Sequence, residues 1–156
     1  MKYWLMKSEP SVYSIDDLKR DGKTAWEGVR NYQARNFMRD EMKVGDPVIF
    51  YHSNAKPSGA AGVGKIAKEA YPDSSAFDKS SHYYDERSTR EKPLWFMVDV
   101  AYVASFAEVL PLAAIKADTE LDGIMVARTG SRLSVQPLSK AHFERICKLG
   151  GIDSKN

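Results

Sequence analysis

The chain has 156 residues, 43% apolar and 28% charged, the composition of one ordinary globular domain, which excludes collagen-like and wholly disordered chains. A net charge of +2 is too mild to announce an anionic partner by itself, and no apolar run approaches the ~20 residues of a membrane helix. Cys147 is the only cysteine, which excludes an intrachain disulfide framework and a cysteine-based zinc site; the apolar stretch before Lys7 is far shorter than a signal-peptide core, so a soluble cytoplasmic chain is expected.

In chain order, Tyr3-Trp4-Leu5-Met6 reads as a buried strand rich in aromatics. Ser14 stands as an N-cap with Asp17 three residues on, the pattern of a capping box opening a short helix. Ala34, Phe37, Met38 and Met42 recur at helical spacing, and Gly45-Asp46-Pro47 should end that helix. Val48 to Tyr51 reads as a central strand. Gly59 to Tyr71, with Gly62 and Gly64, suggests a strand that bends or lets another backbone approach closely. From Leu94 to Phe106 the apolar residues alternate at period two, predicting a long curved strand with one unbroken apolar face. Pro111 suits the start of a short helix through Ile115. Ser139 caps a last helix with Phe143, Ile146 and Cys147 inward and Gly150 as terminator.

These elements predict a mixed α/β fold built on a small, mostly antiparallel barrel with short helices, as a single domain over 1–150 with a tail at 151–156. Residues 72–93 fit no period. A loop of that length is usually a functional lid or disordered, and Tyr83-Tyr84 favour a partly ordered flap. Charge is uneven: Asp99 to Asp122 carries a net −4 and Arg128 to Lys148 a net +4. The basic run is either a solvated face or a patch for an anionic polymer.

Several chemistries are disfavoured. Gly59 to Lys65 matches the first seven positions of a P-loop, but Ile66 replaces the magnesium-binding Ser or Thr, and no helix is expected after it. His52, His82 and His142 form no metal-ligand spacing and no serine sits in a nucleophile elbow, so no metal, cofactor or catalytic residue is expected. By contrast, Trp26-Glu27-Gly28-Val29-Arg30-Asn31-Tyr32-Gln33-Ala34-Arg35-Asn36 packs aromatics, arginines and amides into one loop-to-helix entry. Aromatic faces stack on planar ligands, amides offer paired donors and acceptors, and arginine meets phosphates or base edges. Gly130 to Pro137 and Tyr51 to Asn54 repeat this chemistry. Together the three suggest a pocket for one planar polar ligand.

In Tyr3 to Pro10 (YWLMKSEP), Trp26 to Asn36 (WEGVRNYQARN), Gly45 to Asn54 (GDPVIFYHSN) and Gly130 to Pro137 (GSRLSVQP), the sequence resembles the EVE domain family of the PUA-like superfamily. The resemblance covers nearly the whole chain. It implies a PUA-like pseudo-barrel flanked by helices and a non-catalytic reader of a modified base, such as a 5-substituted cytosine, in DNA or RNA. It maps a pocket onto Lys7, Ser8, Trp26, Val29 to Tyr32, His52, Ser53 and Arg132 to Gln136. Residue chemistry divides the site into a base pocket of Trp26, Val29, Asn31, Tyr32, His52, Ser53, Ser134 and Gln136 and phosphate or anion contacts from Lys7, Ser8, Arg30, Arg35 and Arg132. Residue chemistry suggests stacking by Trp26 and Tyr32 and base-edge hydrogen bonds from Asn31, Ser53 and Gln136. Two alternatives stay open: an enzyme on a modified nucleotide with His52 or Glu27 as acid–base, and a protein-interaction module using the Tyr83-Tyr84 flap.

Overall fold

The computed structural model describes residues 1–154; the last two residues of the expected tail lie outside them. Six strands form one sheet: β1 (Tyr3–Ser8), β2 (Lys23–Ala25), β3 (Pro47–His52), β4 (Gly59–Pro72), β5 (Phe96–Pro111) and β6 (Val135–Leu138). Their order is β2-β5-β4-β3-β1-β6. Only β1 and β3 run parallel; every other neighbouring pair is antiparallel. Four α-helices, α1 (Ile15–Asp21), α2 (Tyr32–Asn36), α3 (Leu112–Ala117) and α4 (Lys140–Leu149), flank it. No helix among the described residues is long and apolar enough to cross a membrane.

Period-two alternation in the central strands sends side chains to two cores. Trp4, Met6, Val48 and Phe50 enter one, with Ile15, Leu18, Trp26 and Met38. Leu5, Ile49 and Tyr51 enter the other, with Phe106, Ile115, Phe143, Ile146 and Cys147. Both faces are therefore covered, and β1 and β3 read as continuous apolar runs for that reason. Burial raises the Cys147 thiol pKa to about 11, so it is protonated and inert at neutral pH.

The local signals produce the elements they predict. Ser14 Oγ accepts from the Asp17 amide while the Asp17 carboxylate accepts from the Ser14 amide, closing the capping box on α1. Ser139 Oγ caps α4 through the His142 amide. The P-loop-like segment is the bent strand β4. A Cβ on Gly62 would lie 2.5 Å from the Ala104 carbonyl oxygen and one on Gly64 2.8 Å from that of Ala101, so a side chain at either would push β5 away.

Two elements differ from expectation. The helix after Asn31 stops being α-helical at Asn36 and continues as a π-helical turn over Phe37–Glu41, with the Met42 amide donating to the Phe37 carbonyl. The long strand starts at Phe96 rather than Leu94 and runs on to Pro111. Its apolar face is interrupted: Met97 and Val98 are both buried, while Tyr102 and Ala104 are half-buried. The cause is the sequence of register shifts between β4 and β5, each of which turns the following residues to another face.

The loop between β4 and β5 is folded by its own hydrogen bonds. It opens with a 3-10 turn, Ser74–Phe77. The Asp85 carboxylate accepts from the Arg87 guanidinium and from Trp95 Nε1 at 2.8 Å, and these bonds, Arg87's first, hold it well below the usual carboxylate range. Ser88 Oγ accepts from the Leu94 amide.

Candidate functional site

The principal cleft, about 1300 Å³, opens where β1, the Thr24–Arg30 segment, the end of β3, the long loop and the segment before β6 meet. Lys7, Ser8, Trp26, Val29, Arg30, Ser53, Arg132 and Ser134 line it, although they come from four separate segments. The sheet explains the convergence. Lys7 and Ser8 stand beside Tyr51 and His52 in the parallel β1–β3 register. The Lys7 amide donates to the Ser134 carbonyl and the Ser53 amide to the Ser8 carbonyl, each at 3.0 Å or less. The Trp26 amide donates to the Val98 carbonyl at 2.8 Å, which fixes the opposite wall.

The cations in this cleft are not equivalent. Arg30 Nη1 pairs with the fully buried Asp73 carboxylate at 3.0 Å, and Nη2 donates to the Tyr83 carbonyl at 2.7 Å. Its charge is therefore already paired inside the protein, although the side chain still lines the cleft. Lys7 Nζ and the exposed Arg132 guanidinium have no hydrogen-bond or ion-pair partner among the described residues. Partial burial lowers the Lys7 pKa, because desolvation disfavours its charged form. Glu27 also lines the cleft, its pKa raised by desolvation and secondarily by Asp73.

Other expected pocket residues stand elsewhere. Asn31 caps α2, its Oδ1 accepting from the Ala34 amide at 3.0 Å. Tyr32 is half exposed outside the cleft, stacked on Trp95. Arg35 donates to the Leu94 carbonyl and to Asn36 Oδ1 beside that stack. Gln136 is fully buried, its Nε2 donating to the Leu133 carbonyl at 2.8 Å, so it shapes the loop carrying Arg132 rather than the cleft surface. His52 is buried beneath the cleft, its Nε2 accepting from the Ile15 amide at 3.1 Å. For Asn31, Gln136 and His52 the reason is that an amide or imidazole able to bond a base can equally satisfy a backbone group, and one polar atom of each does so; Gln136 Oε1 is buried without a hydrogen-bond partner.

Accepting that amide requires a neutral imidazole, and burial lowers the His52 pKa accordingly, against a weaker opposing pull from Asp16. The unfolded chain, with a histidine pKa near 6.5, binds more protons in the interval below that value. Stability contributed by His52 is thus present above pH ~6.5 and lost as pH falls. Urea midpoints measured from pH 7 to 5 should decline more in the wild type than in His52→Gln, whose amide oxygen can accept from Ile15 without titrating. Identical curves would remove His52 as the titrating group.

Residue chemistry alone missed Tyr83. The long loop places its ring against Gly28: a Cβ there would lie 2.6 Å from Tyr83 Cζ. Gly28 also has φ +85°, a conformation only glycine adopts freely. The Arg30–Asp73 pair and the Asp73 carboxylate's bond from the Gly28 amide, at 2.9 Å, hold this wall shut. The available signals were the glycine in WEGVR and a long loop with paired tyrosines; their meeting is a tertiary event.

The sequence and the fold both have known relatives. The EVE domain profile matches residues 2–149. Thymocyte nuclear protein 1 of Homo sapiens is 44% identical over 165 residues, covering 94% of this chain and 73% of that protein. A Pseudomonas syringae crystal structure superposes with a TM-score of 0.91 at 49% identity, covering 95% of this chain and 99% of its own. Human thymocyte nuclear protein 1 in complex with 5-methylcytosine-containing DNA superposes with a TM-score of 0.88 at 44% identity, covering 96% and 98%.

Proposed function

From the premise that the chain belongs to the EVE domain family, we propose that it is a non-catalytic reader of a modified base, a 5-substituted cytosine, in nucleic acid. The observation that carries this reading is one cleft holding an aromatic wall, Trp26, beside two cations without internal partners, Lys7 and Arg132. The likeness to a relative solved with 5-methylcytosine-containing DNA supports the choice of base. Trp26 and Val29 offer apolar surface to the base and its methyl group. The Ser53 and Ser134 hydroxyls and Lys7 serve polar edges, and Arg132 meets a phosphate. Glu27, a carboxylate in the same cleft, suits the exocyclic amino group of cytosine, which donates. Extruding a base costs a few kcal/mol, and an aromatic stack of about 1–3 kcal/mol with hydrogen bonds offsets it. Of the two residues the enzymatic alternative would use, His52 has its Nε2 committed to the Ile15 amide, and this reading assigns Glu27 to the amino group of the base.

A panel of DNA and RNA oligonucleotides with and without 5-methylcytosine tests the reading. The modified strand should bind more tightly and be recovered unchanged. Affinity should fall with salt, and Arg132→Ala should make the log–log slope shallower by roughly 0.7–0.9, one phosphate contact's worth. Salt-independent binding, or equal affinity for modified and unmodified strands, would refute it.

A further inference from the structure

Outside the cleft, Tyr32 opens α2 with 48% of its surface exposed. One face of its ring stacks on Trp95, with centroids 4.9 Å apart and planes 24° apart. Trp95 itself is buried and is fixed by the Asp85 carboxylate on its indole nitrogen. The Arg35 guanidinium lies 4.8 Å from the Tyr32 centroid and 5.9 Å from the Trp95 ring. A group above the outer face of Tyr32 would lie much farther from Trp95, so Arg35 sits at the edge or inner side of the ring. The outer face is left open. Arg35 makes no contact ion pair among the described residues: its hydrogen-bond acceptors are the Leu94 carbonyl and Asn36 Oδ1, and the Asp40 carboxylate feels its charge only at longer range.

This stack is continuous with the cleft. The Arg30 guanidinium lies 5.6 Å from the centroid of Tyr83, which lines the cleft, and 5.4 Å from that of Trp95. Tyr83, Arg30, Trp95 and Tyr32 thus form one row of flat groups leading from the cleft wall to an open aromatic face with a cation at its edge.

We propose that the outer face of Tyr32 is a second subsite, a stacking platform for the base next to the one held in the cleft, with Arg35 serving the adjoining phosphate. The inference rests on the modified-base reading above. When one nucleotide leaves the stack, its neighbour loses a stacking partner and exposes a π face. An ordered, open aromatic ring beside the cleft replaces that partner for any base, because every base has such a face. The platform therefore contributes affinity without discriminating the modification.

The test titrates wild type, Tyr32→Ala, Tyr32→Phe and Tyr32→Trp with DNA carrying one 5-methylcytosine, with the unmodified DNA, and with versions abasic on either side of the modified position. Tyr32→Ala should weaken both DNAs by roughly 5- to 100-fold and leave their ratio unchanged, whereas Phe and Trp should keep most of the affinity. An abasic site on one side should cost the wild type a similar factor and cost Tyr32→Ala nothing more. If Tyr32 merely covers Trp95, Tyr32→Ala lowers the melting temperature while the folded protein binds as the wild type does, and the platform is overturned. If the wild type itself shows no preference for 5-methylcytosine, the modified-base reading falls, and this proposal with it.

Discussion

Replacing Asp73 with alanine should destabilise the protein by about 3–5 kcal/mol, the usual cost of removing one partner from a buried ion pair. The carboxylate is fully buried and accepts from the Gly28 amide, Arg30 Nη1, the Ser75 amide and Ser75 Oγ. Its loss leaves the Arg30 guanidinium, with only 23% of its side chain exposed, without a counter-charge. It also leaves two backbone donors without acceptors. Because these bonds join the long loop to the Trp26–Arg30 segment, the variant should lose the seat of Tyr83 on Gly28 and bind oligonucleotides more weakly. Urea denaturation gives the stability. A cycle of Asp73→Asn, Arg30→Met and the double variant should show a coupling of about 0.5–3 kcal/mol. A stability within ~1 kcal/mol of wild type for Asp73→Ala would mean that the pair does not anchor the loop.

Trp26→Ala should be nearly as costly to the fold and should also erase base discrimination. The indole is only 8% exposed and meets Phe50 edge-on with centroids 5.4 Å apart, so it belongs to the first core as well as to the cleft wall. Truncating a buried Trp costs about 3–5 kcal/mol. For a chain of this size that lowers the melting temperature by roughly 6–20 °C. Trp26→Phe separates the two roles, since it keeps an aromatic in the core while shrinking the wall. Burying one methyl-sized group contributes about 0.8 kcal/mol, or roughly fourfold in affinity. The folded Phe variant should therefore lose much of the preference for 5-methylcytosine over cytosine while keeping its salt-dependent binding. A folded Phe variant with the full preference would place the reading of the methyl group elsewhere in the cleft.

What was legible in the sequence is what short-range chemistry decides. Ser14 with Asp17 and Ser139 before α4 announce helix starts, because a cap is a bond between neighbours. The apolar runs at Tyr3 to Met6 and Val48 to Tyr51 announce central strands, because both their faces are buried. The convergence of Lys7, Trp26, Ser53 and Arg132 was legible only as recurring chemistry in separate segments; the parallel pairing of β1 with β3 brings the first and third together.

Tertiary structure decided which of those polar and aromatic groups face a ligand. Asn31 and His52 carry the same donor and acceptor atoms as a base-reading residue, and the fold commits their acceptors, Asn31 Oδ1 and His52 Nε2, to the Ala34 and Ile15 amides. Arg30 reads in isolation as a free cation, yet its counter-ion stands 43 positions away at Asp73. Tyr32 lies in the same motif as Trp26, but α2 turns it away from the cleft and onto Trp95. Residue type sets what a side chain can bond. Whether that bond is made inside the protein or left for a ligand depends on neighbours that are distant in sequence, and only the folded chain supplies them.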